Sequence, residues 1–326
     1  MYTFRRRKVF WDAFKITVSA VGESFILGLI GYFLIKRNFL GEEGLNALSR
    51  LVIDVTLPLL IFSRLIKDFR FESFPNWWLF PLISLAITLL GLLIGWLFSG
   101  LVQGSQHKLQ FLSLISFQNS GYLPLVLLAS LLTPEKADIM FVYLFLFLLG
   151  FNLVMFSLGI YLLTFTKAKR FDWRSSLNPP VLATLAGLAL VFFNLERFFP
   201  ALLMRPLQTA GDCTLPLATF VVGGNIAAIH LAKVQKRTMA VMALAKLVIM
   251  PALGLWLVFI FKLPELFGLL IVLQLAMPPA TNLSVIISHY KKDDLLVSQG
   301  IFFGHVASLV TIPLFLGLYF MISMLK

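Results

Sequence analysis

Charge is scarce in this sequence, and acidic charge scarcest: 15 Asp and Glu stand against 27 Lys and Arg, and only 13% of residues are charged. Soluble domains carry about 25% charged residues, so an ordinary soluble fold is excluded. Cysteine occurs once, at Cys213, which rules out a disulfide within the chain; it reads as a small apolar side chain on a packed helix. No Cys/His spacing suits structural zinc, and neither a metal nor a cofactor is expected. The His-Glu-x-x-His run of zinc hydrolases and the Gly-x-Ser-x-Gly elbow of serine hydrolases are missing too, which argues against an enzyme. No small-residue cleavage site follows the basic start Arg5-Arg6-Arg7-Lys8, and the apolar run behind it carries Glu23, so a cleaved signal peptide is rejected.

What the chain does have is apolar length. Hydrophobic residues make up 59% of it and its mean hydropathy is +0.92, in runs of roughly 20 residues, the length that crosses about 30 Å of hydrocarbon. A multi-pass, all-helical membrane protein follows. The net charge of +12 is scattered over short segments between apolar runs rather than gathered in a groove-sized patch, so anionic lipid headgroups are the expected partner and nucleic acid is not.

The chain also repeats itself. Asp54-Val55-Thr56-Leu57-Pro58-Leu59 returns as Asp212-Cys213-Thr214-Leu215-Pro216-Leu217, an offset of 158 residues, and Gly31 is answered by Gly187 at 156. A carboxylate and a proline are both costly inside an apolar segment, so their joint recurrence marks a duplicated unit of half the chain. Ten spans are expected: 16–35, 45–65, 77–101, 109–132 and 137–165 form a first repeat over 16–165. After a basic loop at 166–176, the second repeat over 177–326 holds 179–195, 207–231, 239–261, 265–287 and 295–325. Five spans per repeat force the second copy into the membrane upside down, the inverted-repeat plan of many secondary transporters. Residues 1–15 form a basic, aromatic arm suited to the headgroup layer. The positive-inside rule divides almost evenly over the connections and leaves the topology open.

Candidate chemistry sits where polar residues interrupt these spans. Pro124 is expected to break the fourth span after Gln118-Asn119-Ser120-Gly121, and Pro278-Pro279 the ninth ahead of Thr281-Asn282. A broken helix in mid-membrane frees backbone groups that are tolerated only in a protein-lined cavity, and its half-helix N-terminus favours an anion, above all a carboxylate. Gln118, Asn119, Ser120, Thr281 and Asn282 are the candidate substrate contacts, with the amides of Asn119 and Asn282 as donors; satisfaction of freed backbone groups is the alternative role. Lys246 lies mid-span with no acidic residue in its own segment, so it is expected to face the interior and, with Asp212 and Asp54, to serve coupling or charge compensation; a structural ion pair with either aspartate is the alternative. Arg50 and Asp54 are four apart, the spacing of a helix-surface pair. Gly91-x-x-x-Gly95 is a weak helix-packing signal. Two intramembrane aspartates also raise a remote alternative, an intramembrane aspartyl protease, but Asp212 follows Ala-Gly rather than Gly-x-Gly.

The residues that carry a resemblance are Gly31-Tyr32, the stretch from Gly41-Glu42-Glu43-Gly44 to Arg50-Leu51-Val52, Leu57-Pro58, Asn178-Pro179-Pro180 and Asp212 through Gly224. With them the chain resembles the auxin efflux carrier family, which includes plant PIN exporters and bacterial permeases of similar length, within the wider bile-acid/auxin carrier superfamily. The resemblance implies ten helices in two inverted repeats, termini on the non-cytoplasmic side, and fourth and ninth helices that break and cross at the substrate site. It also implies a scaffold of helices one, two, six and seven, a transport domain of the rest, elevator-type movement, and efflux of a small organic anion. Many members place a glycine two residues before the fourth-helix proline, where this chain has Tyr122 before Pro124. The lack of a long central loop suits a bacterial inner-membrane protein, and a homodimer is an open option. A sodium-coupled symporter of the bile-acid type is the main alternative, with Gln274 and helix ends as ligands, and a non-transporting membrane protein is a further one.

Overall fold

In this computed structural model the described residues are 2–164, 177–229, 234–289 and 295–323. The loop expected at 166–176 lies outside them. Helices account for every regular element described, apart from one isolated bridge between Gln118 and Pro279. In chain order they are α1 (Tyr2–Lys36), α2 (Glu42–Leu51), α3 (Leu57–Asp68), α4 (Leu79–Phe98), α5 (Ser105–Ser116), α6 (Tyr122–Leu131), α7 (Pro134–Val154) and α8 (Ile160–Thr164). They continue as α9 (Pro179–Phe192), α10 (Ala201–Asp212), α11 (Thr214–Ala228), α12 (Lys236–Leu244), α13 (Met250–Ile260), α14 (Glu265–Ala276), α15 (Asn282–His289) and α16 (Leu295–Ser323).

Among the described residues six stretches are long and apolar enough to cross a membrane: Phe14–Lys36, Glu42–Asp68, Leu79–Leu101, Pro134–Leu163, Lys236–Ile260 and Leu295–Ser323. They match the expected first, second, third, fifth, eighth and tenth spans within a few residues. The other four differ for local reasons. The fourth and ninth are each broken in two, the sixth is the 14-residue α9, only about 21 Å long at 1.5 Å per residue, and the seventh is jointed at Cys213 between α10 and α11. Helix α1 runs unbroken from Tyr2, so the arm expected over 1–15 is continuous with the first span.

Proline shapes the long spans. The second and eighth pass through π-helical turns, Val52–Thr56 and Ala245–Ile249, where Leu57 N–H bonds Val52 C=O and Met250 N–H bonds Ala245 C=O. Each turn ends just ahead of a proline, Pro58 or Pro251. A proline ring offers no N–H and presses on the carbonyl four residues back, so the helix opens from an i−4 to an i−5 bond there. In both copies of the repeated motif the aspartate is that residue four back, Asp54 before Pro58 and Asp212 before Pro216; the second copy responds with the joint at Cys213 rather than a π turn. A third π turn, Met155–Gly159, has no proline, and there Ser157 Oγ donates to Leu153 C=O at 2.5 Å, a side chain intruding on the helical ladder. The wide turn at Val52–Thr56 also removes the regular spacing of Arg50 and Asp54. Both are exposed, and no ion pair joins them, a correction to the expected pair.

Glycine sets the closest helix contacts. A Cβ on Gly31 would overlap the Phe220 carbonyl and one on Gly223 would overlap the Gly28 carbonyl, so α1 and α11 touch backbone to backbone. Helix α3 packs on α9 and α10, with the Gly211 Cβ position 2.7 Å from Leu60 N. Gly91 and Gly95 do seat α4 on α5: the Gly91 Cβ position is 2.6 Å from Ser116 Cα. Helix α4 also packs on α7, α12 and α13 on α16, and α13 on α14. The Pro134–Leu163 span is the most enclosed, 67% buried against 22% for Phe14–Lys36, which puts α7 at the centre and α1 at the periphery. Large apolar side chains such as Ile26, Leu93, Trp96, Phe259 and Leu202 point outward, an arrangement that water would penalise and lipid does not.

Substituting Gly223 by Leu is expected to destabilise the protein by more than about 2 kcal/mol, because the α1–α11 backbones would have to part. Gly22→Ala, with nothing within 4 Å of its Cβ position, is the matched control and should leave the detergent melting temperature unchanged.

Candidate functional site

The two broken helices meet at their breaks. The chain leaves α5 in extended conformation at Phe117 (φ −107°, ψ 102°) and re-enters helix at Tyr122; it leaves α14 at Met277 (φ −68°, ψ 141°) and re-enters at Asn282. The extended pieces run antiparallel, with Asn119 N–H donating to Pro278 C=O at 2.8 Å and Ala280 N–H donating to Phe117 C=O at 2.9 Å. Each break thereby satisfies groups freed by the other, the condition for non-helical backbone at such depth. Pro278 and Pro279 have no N–H to lose, and they sit in the extended piece itself. Pro124 behaves differently from expectation. The break at 117–121 comes before it, and Pro124 is the third residue of α6, where a helix has no intrahelical use for an N–H. Tyr122 is the first residue of that helix, with Gly121 as its cap.

Exchanging 117–119 with 278–280, an offset of 161, exchanges the two backbone bonds. By that relation Asn119 corresponds to Ala280 and Asn282 to Gly121. The two asparagines are therefore not equivalent positions, although both line one cleft.

That cleft holds about 60 Å³ and is lined by Gln118, Asn119, Ser120, Gly121, Tyr122, Asn152, Asn178, Thr281 and Asn282 together with Ile53, Leu57, Leu148, Phe151 and Met155. Among the described residues no charged side chain lines it. Buried polar side chains brace the α5–α6 break from behind. Lys246 Nζ lies 3.5 Å from Gln118 Oε1, Gln274 Nε2 donates to Ser120 C=O at 3.1 Å, and Asn119 Nδ2 lies 3.4 Å from His305 Nε2. His305 Nδ1 is 2.8 Å from Ile301 C=O; a carbonyl only accepts, so Nδ1 carries the proton and a neutral ring presents Nε2 as acceptor to Asn119. On the far side of α6 an apolar cavity of about 260 Å³ is lined by Phe25, Tyr32, Leu123, Val222, Phe302 and His305 among others.

Sequence reasoning missed His305, Asn152, Asn178 and Tyr122 as parts of this site. His305 and Asn152 were legible by the argument applied to Lys246, since each is a polar residue inside a long apolar span. The carboxylates fare otherwise. Asp212 Oδ1 lies 3.7 Å from Arg64 Nη2, and Arg64 also bonds Asp138 and lies 3.9 Å from Asp68. Asp212 is half exposed whereas Lys246 is fully buried, so the alternative of a fixed Lys246–Asp212 pair is not what the structure contains. Asp54 is exposed and no ion pair joins it to Lys246. Neither aspartate lines the cleft.

The sequence model of the family described as membrane transport protein matches residues 16–172 and again 163–316. The chain belongs to that family. This carrier is 28% identical over 294 residues to an uncharacterized transporter of Methanothermobacter thermautotrophicus, covering 89% of this chain and 94% of the relative. Protein PIN-LIKES 5 of Arabidopsis thaliana is 20% identical over 372 aligned positions, 86% of this chain and 91% of that protein. Protein PIN-LIKES 6 of the same plant is 31% identical over 120 residues, but this covers 36% of the carrier and only 28% of the plant protein. The resemblance to auxin efflux carriers thus holds for the carrier at the level of family, and the family and the archaeal relative are described by transport.

Arg64 is the hub of its carboxylate cluster and is only 21% exposed. Arg64→Met is expected to cost about 1–3 kcal/mol in denaturant unfolding of the purified carrier, between the values for exposed and buried pairs. Arg50→Met, which removes no described ion pair, should stay within about 0.5 kcal/mol of the parent.

Proposed function

We propose that the carrier moves a small organic anion bearing a carboxylate, by elevator-type alternating access, with the substrate held at the crossing of the two breaks. One observation carries the reading: the antiparallel bridge between 117–119 and 278–280 sets the first turns of α6 and α15 beside a cleft of neutral polar groups. The leading N–H groups of a helix have no intrahelical partner and carry a positive partial charge. Asn282, Thr281, Ser120 and Gln118 add side-chain groups that suit the carboxylate, and Asn119 is held in place by His305.

In this reading the ten expected segments form two inverted five-helix repeats. The packing pattern supports it: α1 packs on α11 as α9 packs on α3, α4 on α7 as α13 on α16, and α4 on α5 as α13 on α14. Each pair becomes the other when the halves are exchanged. The scaffold would comprise α1, α2, α3, α9, α10 and α11, and the transport domain α4 to α8 and α12 to α16. The cleft has Ile53, Leu57, Asn178 and Pro180 on the scaffold side and the breaks with α7 on the other, as an elevator requires of a site at a sliding boundary. Export, non-cytoplasmic termini and a bacterial inner membrane complete the proposal on the likeness to auxin efflux carriers. A buried Lys246 ammonium behind Gln118 disfavours a sodium ion at the same place, so sodium-independent transport is part of the reading.

Transport by purified carrier in sealed vesicles tests the function. Saturable movement of a radiolabelled monocarboxylate, unchanged when sodium is replaced by choline, is expected, and Asn282→Ala should abolish it. The absence of movement of any organic anion would overturn the reading. Relative motion has its own test: the Gly317 Cβ position is 3.5 Å from Phe14 Cβ, within disulfide range. In a Cys213→Ser background, oxidised F14C/G317C should be inactive and recover on reduction, because the bond ties α1 to α16 across the sliding boundary. Full activity of the oxidised form would exclude an elevator.

A further inference from the structure

Three side-chain atoms at the α5–α6 break are buried and lack a hydrogen-bond partner: Gln118 Nε2, Ser120 Oγ and Tyr122 OH. Their residues are 0%, 2% and 5% exposed and all line the cleft. An amide nitrogen only donates, and each hydroxyl has a proton to give, so the three share one deficit: each needs an acceptor. Buried groups left in that state are costly, and three of them on residues that line one small space suit an acceptor-rich ligand. The other end of Gln118 is engaged, since Lys246 Nζ lies 3.5 Å from Oε1. Because an ammonium only donates, that contact also fixes which end of the amide is oxygen.

Lys246 is 0% exposed, and among the described residues no carboxylate is paired with it. The helices packed on its π turn are α4, α5, α12, α13, α14 and α16. Five of these six contain neither Asp nor Glu. The exception, α14, has only Glu265 in its first turn, where it pairs with Lys136 at 2.8 Å. A buried cation without a carboxylate beside it calls for a negative charge from outside the chain. His305 on α16 is a further titratable group near the break, and it is spent on Ile301 and Asn119.

We propose that Gln118 is an amide relay: its oxygen takes a hydrogen bond from Lys246 while its Nε2, with the hydroxyls of Ser120 and Tyr122, donates to the carboxylate of a small monoanion. This rests on the organic-anion reading of the cleft and narrows it. Lys246 supplies one positive charge without touching the ligand, so it is a positioning residue and the matching ligand carries one negative charge. Polarising the amide from its oxygen end strengthens its N–H as a donor. The cleft's volume of about 60 Å³ favours small acids.

The test is binding of propionate, succinate and uncharged propionamide to the full-length purified carrier by calorimetry, with melting temperature recorded for every variant. The parent should bind propionate at least about tenfold more tightly than succinate or propionamide, the scale of one charge-assisted hydrogen bond. Tyr122→Phe and Ser120→Ala should each weaken propionate about fivefold or more. Gln118→Glu, which places a carboxylate against Lys246 at equal volume, should abolish propionate binding while melting no lower than the parent. Gln118→Leu, Lys246→Met and their combination should all lose about tenfold or more, with the double variant no worse than either single one, because a relay is broken once. Additive losses in the double variant, undiminished binding by Gln118→Glu, or succinate bound as tightly as propionate would overturn the relay while leaving organic-anion transport intact. A parent that binds none of the three and transports no anion in vesicles would overturn both.

Discussion

Backbone polarity in a medium without water is the constraint on which this structure turns. Two helices are interrupted at membrane depth, and each interruption exposes N–H and C=O groups that lipid cannot satisfy. The carrier pairs one interruption with the other through Asn119 to Pro278 and Ala280 to Phe117. Everything near the crossing follows from that pairing: the half-helices are aimed, the polar residues 118–121 and 281–282 are gathered, and Lys246, Gln274 and His305 brace what the backbone leaves over. Lys246 reaches the break from a widened turn ahead of Pro251, so the proline that costs α13 a hydrogen bond also sets the position of the buried cation.

Helix packing around the crossing depends on the smallest residue. Without a hydrophobic drive between helices in lipid, close approach of backbones is what holds them. Gly28, Gly31 and Gly223 give α1 and α11 that approach, Gly211 gives it to α10 on α3, and Gly91 to α4 on α5. Helices α1 and α16 also approach closely, with the Gly317 Cβ position 3.4 Å from Phe14 Cα and 3.5 Å from Phe14 Cβ.

Much of this was legible in the residues. The apolar runs announced a membrane protein, and Pro278-Pro279 marked the second break. Where reading failed, proline and spacing were taken too literally. Pro124 suggested a break at itself, yet a proline in a helix's first turn displaces no bond, and the break lies upstream at 117–121. Arg50 and Asp54 kept the spacing of a pair, but a π turn between them altered the angle per residue. Asp212 was matched with Lys246 for want of a nearer cation; Arg64, concealed inside a span as an ordinary basic residue, takes it instead. Partners brought from different helices carry no local signal, which is why His305 at Asn119 went unread.

The bridge between the breaks also fixes an order of assembly. Its strands are segments 117–119 and 278–280, and neither can be completed by neighbours in sequence. As the chain is synthesised, the first break enters the bilayer with Asn119 N–H and Phe117 C=O unpaired, and these groups wait while more than a hundred further residues are made and inserted. Closing so long a loop is entropically slow. The crossing is therefore expected to be among the last parts of the carrier to form, and the first half alone would leave Asn119 N–H and Phe117 C=O without these partners.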